Sequence, residues 1–192
     1  MAKTRLGNAT FVKRGYGQVE PNHLSAQRTG QIYAQLPAKS DIELLENGQF
    51  VKYDYATGEV NFTGKGEWML VFNEVKTYEE RETYEDFAMI KDNYDAKIYS
   101  PVGQTGDTLT YGAAMPDGTK MVPRVLKTNI GDIYTTNTVK ETSLAVNDEL
   151  VVGDDGYLTK TPGTNAGDMK FLVVKVYTLA DNQPAVKLQR IA

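Results

Sequence analysis

From residue 144 onward the chain is punctuated by turn signals at short, regular spacing. The runs "ELVV", "YLTK", "MKFLVVKVYTL" and "AVKLQRI" are separated by "GDDG", "TPGTNAGD" and "ADNQP". Valine, tyrosine and threonine fill the intervals, and turns recur about every 8–12 residues. Segments that short leave little room for helices and pair most simply with their chain neighbours. The expectation is antiparallel β structure, closed as a small barrel or folded as a sandwich.

The same grammar appears earlier. Ile32, Ala34 and Leu36 alternate with Gln31, Tyr33 and Gln35, a period of two that Pro37 ends. Asn47-Gly48 supplies a turn that tolerates positive φ. Phe50 to Tyr55 then reads as a strand, Ala56-Thr57-Gly58 as a turn and Glu59 to Phe62 as the return strand. "EWMLVFNEV" is apolar almost throughout, which suits a strand buried on both faces. Helix competes only at 78–86, where Tyr78, Tyr84 and Phe87 with Met89 and Ile90 give an apolar side opposite Glu79, Glu80, Glu82, Glu85 and Asp86. "SPVGQTGD" and "MPDGTK" mark turns in 91–120, and a strand is expected near 121–127.

Residues 1–30 follow no period. They carry Lys3, Arg5, Lys13, Arg14 and Arg28 against Glu20, a balance of 5 − 1 = +4, so the remaining chain is 16 − 24 = −8. This suggests an extended arm, ordered only where it lies on something else. The expected architecture is mainly β: an antiparallel barrel or sandwich body, an extended N-terminal arm and at most a short helix. Its parts would be the arm at 1–30, a first β unit with a loop insert at 31–123 and a second, barrel-like unit at 124–192.

Few residues offer chemistry. With no cysteine in the chain, disulfides and thiolate metal sites are excluded. The single histidine, His23, lies in the expected arm, where a general base would lack a rigid frame. The acids from Glu79 to Asp86 read as a solvated face rather than a glycosidase pair. Asp154-Asp155-Gly156 reads as a hairpin turn, because a calcium loop needs acids at alternating positions and a closing Glu. No phosphate-loop or dinucleotide motif occurs, and Gly64-Lys65-Gly66 joins two strand signals. Gly131-Asp132 reads as a corner in "RVLKTNIGDIYTTNTV", with Arg124 placed to pair with Asp132 across it. Neither catalysis, a cofactor nor a metal is expected. Five spread cations with few aromatics argue against a nucleic-acid partner. There is no apolar run of about 18 residues to cross a membrane, and "MAKTRLGNATFVKRG" has no apolar region of the signal-peptide kind.

The order of signals resembles the capsid decoration, or cement, proteins of tailed bacteriophages. The resemblance rests on a polar N-terminal segment and the strand entry Glu46-Asn47-Gly48-Gln49-Phe50-Val51. It continues through the large apolar strand Glu67-Trp68-Met69-Leu70-Val71, the acidic segment Glu79 to Tyr84, and Arg124 to Asp132 leading on to Thr135-Thr136-Asn137. It ends at the hairpin Val146-Asn147-Asp148-Glu149-Leu150, where Asn147 stands in place of a glycine. The resemblance implies a non-enzymatic virion protein on the outer capsid surface, assembled in the host cytoplasm. Its partners would be the major capsid protein and, since trimers are common in that family, neighbouring copies of itself. The arm would grip the shell through Arg5, Phe11, Lys13, Arg14, Tyr16 and Arg28, cations pairing with acidic groups and aromatics filling pockets. The alternative is a carbohydrate-binding β module using Tyr94, Tyr99, Tyr111 and Tyr157 as stacking platforms. An enzyme using Glu79 to Asp86 as acid and base is the third.

Overall fold

The structure is a computed structural model and describes residues 17–28, 34–73, 88–90, 121–164, 167–179 and 182–192. In chain order the strands are β1 (Val19–His23), β2 (Ala34–Gln35), β3 (Leu44–Glu46), β4 (Phe50–Asp54), β5 (Glu59–Asn61), β6 (Trp68–Val71) and β7 (Ala88–Ile90). They continue with β8 (Arg124–Leu126), β9 (Ile133–Thr136), β10 (Glu149–Val152), β11 (Leu158–Thr159), β12 (Lys170–Thr178) and β13 (Pro184–Arg190). A four-residue helix, α1 (Ser25–Arg28), follows β1. The protein is mainly β, and the described strands pair antiparallel throughout.

The regularly punctuated C-terminal part forms a six-stranded sheet in the order β1-β9-β13-β12-β10-β11. It curls until its ends nearly meet. Val139, three residues past β9, pairs in parallel with Leu158 of β11, and Lys140 N–H donates to Leu158 O at 2.9 Å. One strand path therefore serves both sides of the closure, which makes a small barrel of β9, β13, β12, β10 and β11. β1 lies outside that closure, along the remaining edge of β9.

A second sheet, β2-β8-β6-β4-β5, packs against the barrel, and β3 pairs separately with β7. Alternation along its strands sends side chains to opposite faces. Phe50, Trp68, Leu70 and Leu126 join the barrel core with Tyr134, Leu150, Leu158, Phe171 and Leu188. Val51, Met69, Val71 and Val125 face the other way, onto Ala38, Ile42, Leu45, Val60 and Met121. β6 is accordingly buried on both faces, as its unbroken apolar run implied. Phe171 ties the layers together, its ring 5.4 Å from that of Phe50 and 5.9 Å, edge-on, from that of Tyr134.

The turns follow the expected chemistry. Gly48, Gly58, Gly131 and Gly156 have positive φ, and Asn147 reaches φ 74 where a glycine would be usual, a conformation that asparagine tolerates better than most residues. The Asp154-Asp155-Gly156 segment is a hairpin turn, with Gly153 N–H donating to Tyr157 O at 2.8 Å.

Three expectations need correction. Residues 17–28 are not part of an extended arm. β1 pairs with β9 over four positions, and Leu24 and Ala26 are buried in the barrel core. Their sequence conceals this because Pro21 and a bulge between Pro21 and His23 break the period of two. The boundary at 123/124 also fails, since β8 pairs with β6 and β2 and completes the second sheet. Finally, Asp132 does not turn to Arg124. Its Oδ1 accepts from Ser25 N–H at 3.0 Å and from the Ser25 hydroxyl, and its Oδ2 accepts from Asn129 N–H at 2.8 Å.

Gly131-Asp132 is thus a corner that also fastens α1. Its backbone is pinned to the last strand, with Gly131 N–H donating to Arg190 O at 2.8 Å and Arg190 N–H to Asp132 O at 2.9 Å. Replacing the buried Asp132 by alanine removes a carboxylate that satisfies three donors. The expected cost is about 2 kcal/mol in urea unfolding, within the range for hydrogen bonds to a charged group. Asp132→Asn, which keeps an acceptor, is expected to lose less.

Candidate functional site

A belt of buried polar groups runs where the N-terminal segment, the β3–β4 turn and β9 meet. Asn47, Gln49, Thr135, Thr136, Asn137 and Thr138 are all buried. Polar side chains in such a place need partners, and these have them. Thr138 Oγ1 donates to Asn47 O at 2.6 Å, Thr136 Oγ1 to Gln18 O at 2.7 Å and Thr135 Oγ1 to Asn22 Oδ1 at 2.7 Å. Asn137 Oδ1 accepts from Gln18 N–H at 2.7 Å. On the neighbouring side, Tyr157 Oη donates to Glu46 Oε2 at 2.7 Å and Gln49 Nε2 to Asp155 O at 2.7 Å. The belt fixes where the N-terminal segment enters the body. At Gly17 an added Cβ would lie 2.0 Å from Asn47 O, so the backbone passes there only as glycine.

The other feature is a cleft of about 250 Å³ between β4, β6, the end of β13 and the segment before β12. Buried Trp68 and Met169 form its apolar lining, and Lys52, Glu67, Asp168 and Arg190 supply charge at its rim. Lys52 and Trp68 are direct cross-strand partners, which puts the ammonium 4.7 Å from the indole centroid. Arg190 is heavily engaged. Its guanidinium donates to Thr128 O and, through Nε, to Ala192 O at 3.0 Å, and it pairs with Glu67 at 3.1 Å. Lys127 reaches the other Glu67 oxygen at 3.8 Å. Sequence reasoning named Trp68 only as a strand residue. Its role beside Lys52 depends on strand register, which the sequence does not display.

The proposed contact residues Arg5, Phe11, Lys13, Arg14 and Tyr16 lie outside the described residues, and the backbone of Arg28 ends α1. Tyr157 is no stacking platform, because it is buried with its hydroxyl on Glu46. Tyr94, Tyr99 and Tyr111, the acids from Glu79 to Asp86, the expected helix at 78–86 and the turns of 91–120 fall outside the described residues. His23 is an exposed residue at the end of β1. Among the described residues no group of three histidine or carboxylate side chains is placed to hold a metal ion, and no helix is long and apolar enough to cross a membrane.

Fold and polar belt together define an antiparallel β barrel with a second sheet packed on it, and with the N-terminal segment rooted at the seam. No known protein family matches the chain, and no curated protein or solved structure is similar to it.

Proposed function

We propose that this is a structural virion protein that binds the outer surface of the major capsid protein and reinforces a phage head. It would do so through a basic strap that leaves the body at Gly17. The observation that supports this reading is the rooted entry point joined to the charge distribution. Residues 1–16 carry Lys3, Arg5, Lys13 and Arg14 and no acid, or +4, which leaves 17 − 25 = −8 for the rest. A strap fixed at one end by buried hydrogen bonds loses less freedom on docking than a free peptide would. Contacts repeated over a lattice multiply a modest affinity. The extensively buried double core suits a scaffold that transmits load.

The test is co-sedimentation of the purified chain with expanded, empty shells of the encoding phage and with unexpanded shells. Binding is expected to the expanded form. Lys13→Glu combined with Arg14→Glu is expected to weaken it at least tenfold at physiological salt, since each reversal replaces attraction by repulsion. Equal binding by the variant would sink the electrostatic strap, and a parent chain that ignores both shell forms would sink the reading as a whole.

A further inference from the structure

The cleft beside Trp68 holds one cation more than its immediate pairs use. Glu67 is shared by Arg190 and Lys127, and Arg190 directs Nη1 at Glu67 and Thr128 and Nε at Ala192. Lys52 is different. Its ammonium sits against the Trp68 ring, and among the described residues it forms no ion pair. Asp168 shares the rim but stays beyond ion-pair reach. Asp154 acts on Lys52 only through space, while burial, and then the charge of Lys65, lower its proton affinity. An ammonium held on an apolar floor and repelled by a second lysine gains from an incoming anion more than an ordinary surface lysine does.

We propose that this cleft binds a carboxylate carried on a short apolar stem, the carboxylate pairing with Lys52 and the stem lying along Met169 and the edge of Trp68. The volume of about 250 Å³ falls below the roughly 300–1,000 Å³ of pockets that enclose drug-sized ligands. It suits an occupant the size of one glutamate side chain. Gly167 helps keep it open, for a Cβ there would stand 4.0 Å from Trp68 Cδ1. A phosphate is disfavoured. Glu67 and Asp168 would repel a dianion, and the arginine that could grip it with a two-pronged contact is already engaged. This inference stands apart from the capsid reading.

Trp68 is the only tryptophan in the chain, so its emission reports on the cleft directly. The intact protein is titrated at constant ionic strength with propionate, a free carboxylate, and with acetyl-Ala-Glu-Ala-amide, a protein-borne one. Propionamide and acetyl-Ala-Gln-Ala-amide are the neutral controls. A saturable change is expected for one or both acids with Kd on the order of 1–10 mM, and none for the amides. Lys52→Met is expected to weaken the response at least tenfold with an unchanged thermal transition, and Lys52→Arg to retain it. Tighter binding of the peptide assigns the site to an acidic side chain of a partner protein. Tighter binding of propionate assigns it to a small free acid. The proposal is overturned if neither acid saturates by about 50 mM, if the amides act equally, or if folded Lys52→Met responds like the parent.

Discussion

Removal of residues 1–16 is expected to abolish shell binding while leaving the melting temperature within about 3 °C of the parent. Removal of residues 1–26 is expected to leave a largely unfolded or aggregating chain. The difference lies in ten residues. The longer deletion takes Leu24 and Ala26 from the barrel core and strips β1 from β9. It also deprives Asn137, Thr135 and Asp132 of their partners at Gln18, Asn22 and Ser25. A buried leucine lost to truncation costs about 2–5 kcal/mol, and each buried group left unpaired about 1–3 kcal/mol more. Together these reach the whole stability of a typical domain, about 5–15 kcal/mol. Circular dichroism and thermal melts on both truncations read the outcome. A 1–26 deletion as stable as the parent would mean that β1 is a passenger. A 1–16 deletion that is folded and still decorates shells would remove the strap from the proposed function.

Above pH about 10 the protein is expected to lose stability at a rate to which Tyr134 contributes up to about 1.4 kcal/mol per pH unit. Tyr134 is fully buried in the barrel core, and burial pushes its phenol well above its ordinary range. In the unfolded chain the same group ionises near pH 10. The folded state thus favours the protonated form. Its contribution is intact below pH about 10 and is lost as the pH climbs beyond, because only the unfolded chain can release the proton. The hydroxyl finds no hydrogen-bond partner among the described residues, so Tyr134→Phe discards an unsatisfied buried group. The variant is expected to equal or exceed the parent by about 1 kcal/mol at pH 7. By pH 12 the advantage is expected to grow by a further 2.7 kcal/mol or so. All twelve tyrosines titrate in the unfolded chain, so the difference between the two urea-unfolding curves is the measurement. Curves that stay parallel above pH 10 would show that Tyr134 ionises as easily folded as unfolded.

The antiparallel fold, the β4–β5 hairpin and the two-sided burial of β6 were legible because each rests on local chemistry. Turn residues with permissive φ, a period of two and an unbroken apolar run act over a few positions. β1 was not legible, since a proline and a bulge erase its period and its partner lies more than a hundred residues away. Nor was the grouping of β8 with the second sheet, because "RVL" offers three residues and nothing in them names a partner. Asp132 illustrates the middle case. Its place in a corner followed from Gly131 beside it, whereas its service to Ser25 depends on how the N-terminal segment crosses the barrel. The cleft was hidden for the same reason: it consists of a cross-strand pair, two glycines and the last strand, drawn from separate parts of the chain.

The margins of the sheets carry a last implication. The outermost ribbon of the barrel sheet contains Pro21, which has no amide proton, and a local bulge. At the opposite margin, Val139 occupies the side of Leu158. On the second sheet, Val60 donates to Pro37 O at 2.8 Å and accepts from Lys39 N–H at 2.9 Å. Such margins offer poor templates for a stranger's backbone. At these three described margins, edge-to-edge pairing between crowded copies is disfavoured.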